Sequence, residues 1–126
     1  MATKRPDASF SLLTGDHIKA LPFKAGSVIF REGDEAREVF VIRSGEVRIQ
    51  IGNQTITELG TDSIFGEMAL IDNEPRSATA IAVTDTELVP VSEKQFLFLV
   101  SQTPHFALNV MRVLAERLRK INKTFG

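Results

Sequence analysis

Between Ile64 and Ala80 the chain gathers residue types that could hold a small anion: Ile64-Phe65-Gly66-Glu67-Met68-Ala69-Leu70-Ile71-Asp72-Asn73-Glu74-Pro75-Arg76-Ser77-Ala78-Thr79-Ala80. Gly66 frees the backbone, and the apolar stretch after it is long enough for one helical turn. The first N–H groups of such a turn have no partner within it and make a ready anion site. Arg76 follows a turn-forming Asp-Asn-Glu-Pro and brings a planar fork of donors matched to phosphate oxygens. Glu67 is an acceptor suited to a pair of hydroxyls such as a ribose carries. The small residues Ser77, Ala78 and Ala80 would let a ligand approach the backbone closely. On residue chemistry alone there is a plainer alternative, in which Glu67 and Arg76 pair with one another on the surface, a contact worth about 0–1 kcal/mol.

The rest of the chain offers little competing chemistry. Its 126 residues suffice for one domain, and 43% hydrophobic with 25% charged residues is the composition of a globular protein. No cysteine is present, which excludes disulfides, thiolate metal sites and cysteine nucleophiles. The two histidines, His17 and His105, lie far apart, so a histidine-rich metal centre is not expected, and no cofactor is implied. With neither a base–nucleophile pair nor a metal set, the chain reads as a non-enzyme. A net charge of −1 argues against a broadly basic surface, so direct nucleic-acid binding is not expected. No run approaches the ~18 apolar residues of a membrane helix. Met1-Ala2-Thr3-Lys4-Arg5-Pro6 leads into no apolar stretch of the secretory kind. The expectation is a cytoplasmic protein with no membrane contact.

The elements that must position the Gly66–Ala80 segment are mostly strands. Residues 1–20 are polar and weakly patterned; Leu12, Leu13 and Ile18 hint at a short helix that Gly15 interrupts. From Leu21 to Val91 the pattern is β, with apolar runs at Val28-Ile29-Phe30 and Val39–Ile42. Residues 46–51 alternate, placing Val47, Ile49 and Ile51 on one face. Gly52-Asn53 signals a turn into a return strand through Thr55-Ile56-Thr57. Further strands are expected at Ser77–Val83 and Glu87–Val91. Gly33 and Gly45 read as turn glycines, and Phe65 beside Ile64 as core rather than a base-stacking ring. Many short, glycine-punctuated strands predict a mainly β protein with flanking α, an antiparallel β-roll of jelly-roll type over about 21–91.

Two C-terminal helices should follow. Ser92 and Gln95 have capping-box spacing for a helix over about 92–101. Thr103 as N-cap and Pro104 at the first position open a second over about 104–123. Along it Ala107, Met111, Leu114, Leu118, Ile121 and Phe125 form a heptad-like stripe. The stripe either packs on the chain's own roll or contributes to a homodimer seam. Arg112, Arg117, Arg119, Lys120 and Lys123 outweigh Glu116 on this helix, and the plain reading is solvated cations that complement its dipole.

Phe65-Gly66-Glu67-Met68-Ala69-Leu70 followed by Pro75-Arg76-Ser77-Ala78 resembles the phosphate-binding cassette of cyclic nucleotide-binding domains. The likeness extends to Ala25–Asp34, to Phe40–Val47 and to Leu114-Ala115-Glu116-Arg117-Leu118, covering about residues 20–122. The resemblance implies that Glu67 accepts from the ribose 2′-hydroxyl and Arg76 pairs with the cyclic phosphate. It implies that backbone N–H groups near Gly66, Met68 and Ala69 complete the cradle. The position of Ser77 is alanine in many members, while threonine there accompanies a cyclic GMP preference. Serine favours cyclic AMP as the ligand and leaves cyclic GMP open. With Ala78, these residues make up the expected ligand site.

The implied mechanism is a switch in which phosphate capture repositions the helices after the roll. The chain departs from the family pattern in two ways. The helical bundle usually preceding the roll reads as reduced to about twenty residues, and no effector domain is expected within the residues after it. It is therefore expected to be a lone sensor, a fragment of a larger regulator, or a subunit acting on a protein effector. The alternatives are a sensor fragment of a transcription regulator lacking its DNA-binding domain, and a structural domain that has lost its ligand. The final helix is short for a dimerisation helix.

Overall fold

A run such as Val39-Phe40-Val41-Ile42 has no polar face, so a strand built from it must be covered on both sides. The computed structural model describes residues 18–125, without the side chains of Leu70 and 121–125, and shows how the covering is done. One sheet has the order β1 (Leu21–Phe23), β8 (Thr86–Ser92), β3 (Glu38–Ser44), β6 (Ile64–Phe65). The other runs β2 (Val28–Phe30), β7 (Thr79–Ala82), β4 (Val47–Ile51), β5 (Gln54–Leu59). All pairings are antiparallel. The helices α1 (Glu93–Gln102) and α2 (Pro104–Phe125) follow. The protein is a mainly β fold, an antiparallel β-roll succeeded by two helices.

Side-chain alternation along β3 divides the core in two. Phe40 and Ile42 face into the roll with Val47, Phe65, Ala80 and Leu88. Val39 and Val41 face the other way, with Ile64, Val89 and Val91, against Val110 of α2 and the partly buried Phe96 and Leu99 of α1. Neighbouring β6 and β8 obey the same alternation, Ile64 outward and Phe65 inward, Val89 outward and Leu88 inward. Phe65 is thus core, fully buried. Gly45 turns β3 into β4 at φ 99°, where a Cβ would stand 2.4 Å from Thr86 Oγ1. Gly52 makes the expected β4–β5 turn at φ 57°.

The helix ends differ in part from the sequence expectations. Ser92 does cap α1: its Oγ accepts from Gln95 N at 3.2 Å, and Gln95 Oε1 accepts from Ser92 N at 2.8 Å. Pro104 does open α2. Thr103 precedes Pro104 as expected, its carbonyl accepting from Phe106 N at 2.8 Å, while its hydroxyl turns back to donate to Leu99 O at 2.7 Å and closes α1. The expected apolar stripe on α2 also divides. Leu114 packs on the roll beside Phe106, Val110 and Val113, whereas Met111 and Leu118 are 57% and 60% exposed. Ile121 and Phe125 have side chains outside the described set. The buried face of α2 runs through Phe106, Val110, Val113 and Leu114, one position back from most of the stripe. The helix hinted at by Leu12 and Leu13, and His17, lie outside the described residues. Ile18 is within them; it packs on the outer core, and its carbonyl accepts from Arg43 Nη2.

The capping box ties the last strand to the helices. Ser92→Ala should lower stability by about 1 kcal/mol, read as a lower urea midpoint at unchanged slope.

Candidate functional site

Arg76 is held from every side. Its backbone N donates to Asp34 O at 2.8 Å, and its O accepts from Gly33 N at 2.8 Å, so the β2–β3 loop fixes its main chain. Its guanidinium lies 4.0 Å from the centroid of Phe30, a cation–π stack. Phe30 belongs to a ring cluster with Phe40 and Phe65 at centroid separations of 5.5–6.2 Å. Nη1 donates to Gly66 O at 3.1 Å and Nη2 to Glu38 O at 2.7 Å. Both acceptors are carbonyls, and neither removes the charge. Nε is buried and has no partner. Burial pushes the Arg76 guanidinium below its ordinary pKa, against the pull of Glu38, Asp34 and Glu67. With 9% of its surface exposed, this is a buried cation that no carboxylate neutralises by direct contact.

Gly66 makes that arrangement sterically feasible. It sits at φ 78°, and a Cβ there would approach Arg76 Nη1 to 2.8 Å. The chain then enters a four-residue 3₁₀ turn, Glu67–Leu70. Ala69 N closes that turn by donating to Gly66 O at 3.2 Å. The N–H groups of Glu67 and Met68 precede the first bond of the turn. Ala69 N, one of the expected cradle donors, is thus engaged within the turn.

Glu67 is 4% exposed and does not pair with Arg76. The surface-pair alternative is therefore incorrect on both burial and partner. The partner of Glu67 comes from α2: Arg117 Nη1 donates to Glu67 Oε1, and Arg117 Nη2 to Ile64 O. Arg117 was read as one of several solvated helix cations; it is instead turned inward, its side chain 19% exposed. One turn on, Lys120 Nζ donates to Thr57 Oγ1 of β5 at 2.9 Å. Sequence reasoning missed Arg117, Phe30 and Thr57 as parts of the site. The only available signal was the Leu-Ala-Glu-Arg-Leu likeness, which named the helix but not the direction of the arginine.

These groups converge on a cavity of 280 Å³, at the low end for small-molecule sites. All of the expected residues line it: Gly66, Glu67, Met68, Ala69, Arg76, Ser77 and Ala78. Phe30, Ile49, Ile51 and Ile56 supply apolar wall, and Leu114, Arg117, Leu118 and Lys120 of α2 cover one side. Alternation puts Ile49 and Ile51 on the cavity face of β4, and the register shift opposite Ile49 and Gln50 places the extra residue in β5, where Ile56 and Thr57 both line this space. A larger open cleft of 560 Å³ lies outside the cassette loop, but Arg76 does not line it, and the cation that does, Arg37, is paired with Glu35 near Glu74 and Glu93. The inner cavity thus carries a cation at one place, an acceptor at another, and apolar surface between.

The family model for the cyclic nucleotide-binding domain matches residues 20–103. The cyclic AMP receptor protein of Thermus thermophilus is 39% identical over 103 residues, 78% of this chain and 48% of the relative. The crystal structure of Thermus thermophilus catabolite activator protein superposes with a TM-score of 0.77 at 33% identity, over 90% of this chain and 55% of that one. The cyclic AMP-bound form of the EAL enzyme Bd1971 gives 0.63 at 37% identity, over 84% of this chain and 29% of that one. Its cyclic GMP-bound form gives 0.64 at 36% identity, over 84% and 30%. The chain spans about half the length of the Thermus relative and less of the enzyme. A buried arginine behind Gly66, a buried glutamate one residue after it, and a matched family model over two thirds of the sequence together make this chain a member of the cyclic nucleotide-binding domain family.

Proposed function

We propose that the chain is a sensor module that binds a 3′,5′-cyclic mononucleotide in the inner cavity and passes its occupancy to α2. The observation that carries this reading is Arg76: a buried guanidinium with carbonyl partners only, and an unsatisfied Nε, needs an anion. A cyclic phosphate supplies one, with the Glu67 and Met68 N–H groups as further donors. Glu67 then accepts from the ribose 2′-hydroxyl through the carboxylate oxygen that Arg117 does not take. The isoleucines supply an apolar seat for the base. A structural domain without a ligand would bury the Arg76 charge to no purpose, which disfavours that alternative.

Cyclic AMP is the proposed ligand. Support comes from Ser77 and from relatives named for cyclic AMP, while a cyclic GMP-bound relative keeps that nucleotide as the comparison. No reaction is proposed; the module binds and releases. Occupancy would act through Glu67, the residue that ligand and α2 share. A ligand shifts the helix only by its differential affinity for the two packings of α2. The exposed Met111 and Leu118 offer α2 a surface for a protein effector or a second copy. Among the described residues no helix is long and apolar enough to cross a membrane. We place the module in the cytoplasm, where a cysteine-free signalling domain fits.

Calorimetry with cyclic AMP, cyclic GMP and linear 5′-AMP tests the reading; both cyclic ligands should bind more tightly than the linear control, and binding of none would reject it. Arg76→Ala should cost about 2–5 kcal/mol of binding, roughly thirtyfold to several thousandfold, and an unchanged dissociation constant would remove Arg76 from the role. Glu67→Gln should weaken cyclic AMP binding while changing 2′-deoxy cyclic AMP binding much less. Hydrogen exchange along 104–125 should differ between free and cyclic AMP-bound protein, and equal protection would count against the coupling.

A further inference from the structure

The wall that would seat the base is unevenly held. Ile49, Ile51 and Ile56 all belong to the β4–β5 hairpin and line the inner cavity. The ladder from β4 to β7 runs from Val47↔Ala82 to Gln50↔Thr79 and stops. Beyond it Ile51 pairs with Gln54 of β5, and among the described residues no further strand flanks the turn at Gly52-Asn53. Gln50 Nε2 donates to Gly52 O at 3.3 Å, a bond inside the hairpin itself. A two-stranded ribbon on its own is marginally stable in water.

A side chain of the β2–β3 loop reaches this turn from outside the hairpin. Glu32 Oε1 accepts from Gly52 N at 2.7 Å. The main chain of Glu32 is itself fixed, its N donating to Thr79 Oγ1 at 3.1 Å. Its neighbours Gly33 and Asp34 clasp the main chain of Arg76. The loop that holds the buried cation therefore also grips the tip of the apolar wall. Glu32 is an anion in that same loop, so its charge opposes capture of a phosphate. What it gives the hairpin is an acceptor oxygen, in a charge-assisted bond to a backbone N–H.

We infer that Glu32 is a positioning residue for ligand binding: through Gly52 N it locks the β4–β5 tip to the Arg76 loop and sets where Ile51 stands against the base. That role rests on the binding mode proposed above. Phosphate site and base seat are then held at a fixed distance before the ligand arrives. Without the Glu32 oxygen the cavity keeps its cation and its acceptor, but the ligand must order the tip as it binds, which lowers affinity.

The test is titration calorimetry of the full chain with cyclic AMP, comparing wild type with Glu32→Ala, Glu32→Gln, Ile51→Ala and the variant carrying both Glu32→Ala and Ile51→Ala. Glu32 is exposed, so its variants should fold as the wild type does. Two effects of Glu32→Ala have opposite signs. Loss of a nearby negative charge would tighten binding of an anion, whereas release of the tip should weaken it about tenfold. Glu32→Gln discards the charge but keeps an oxygen for Gly52 N, so it should recover most of that loss. Exchange of the Gly52 amide in the free protein should speed up in Glu32→Ala and stay slow in Glu32→Gln. The double variant should lose less than the product of the two single losses, because both act through the same wall. Binding unchanged or tighter in Glu32→Ala, an equal loss in Glu32→Gln, unaltered Gly52 exchange, or a double variant that loses the full product overturns this inference and leaves the binding mode standing. If wild type binds neither cyclic AMP nor cyclic GMP, the binding mode and the inference fall together.

Discussion

Taking a guanidinium out of water is expensive, and the roll is arranged around making that tolerable for Arg76. The ring of Phe30 lies under its plane, and the carbonyls of Gly66 and Glu38 hold two of its nitrogens. Its main chain is clasped by Gly33 and Asp34. Each support constrains a separate stretch of sequence. Residue 66 has room for no side chain, β2 must deliver an aromatic ring, and the β2–β3 turn must reach the cassette. What these contacts omit is a counter-charge, and that omission gives the cavity its chemical demand.

Glu67 is the complementary case. Its charge is met, but by a residue fifty positions away on a helix that packs on the opposite face of β3 and β6. Removing either member of a buried ion pair typically costs about 3–5 kcal/mol, so the pair is a firm tether between α2 and the turn after Gly66. The same arginine holds Ile64 O, which extends the tether to β6. A ligand that hydrogen-bonds Glu67 competes for, or adds to, the electrostatic field in which Arg117 sits.

Much of this was legible in the residues. Period-two and continuous apolar runs marked the strands, and Ser92 with Gln95 marked the start of α1, because those signals are local. The short β6 pairing at Ile64–Phe65 carried no such pattern, since two residues give no period. The cassette residues could be named, but their partners could not. Glu67 facing Arg76 and Glu67 facing Arg117 are equally consistent with sequence, and only the packing angle of α2 chooses between them. Thr103 stands between two helix ends and serves both, its carbonyl accepting from Phe106 N and its hydroxyl donating to Leu99 O; the second bond has no sequence signal. The stripe on α2 was read one position off, because Phe106, Val110 and Val113 repeat with the same spacing and sequence periodicity alone does not choose between two adjacent faces.

Strand β3 serves two interiors at once, Phe40 and Ile42 to one side, Val39 and Val41 to the other. A single inserted or deleted residue within it would swap those contents wholesale. Valines would arrive beneath the guanidinium and a phenyl ring would be driven under the helices. A residue added at a hairpin tip such as Gly52-Asn53 would leave both interiors as they are, whereas the middle of β3 tolerates no change in its residue count.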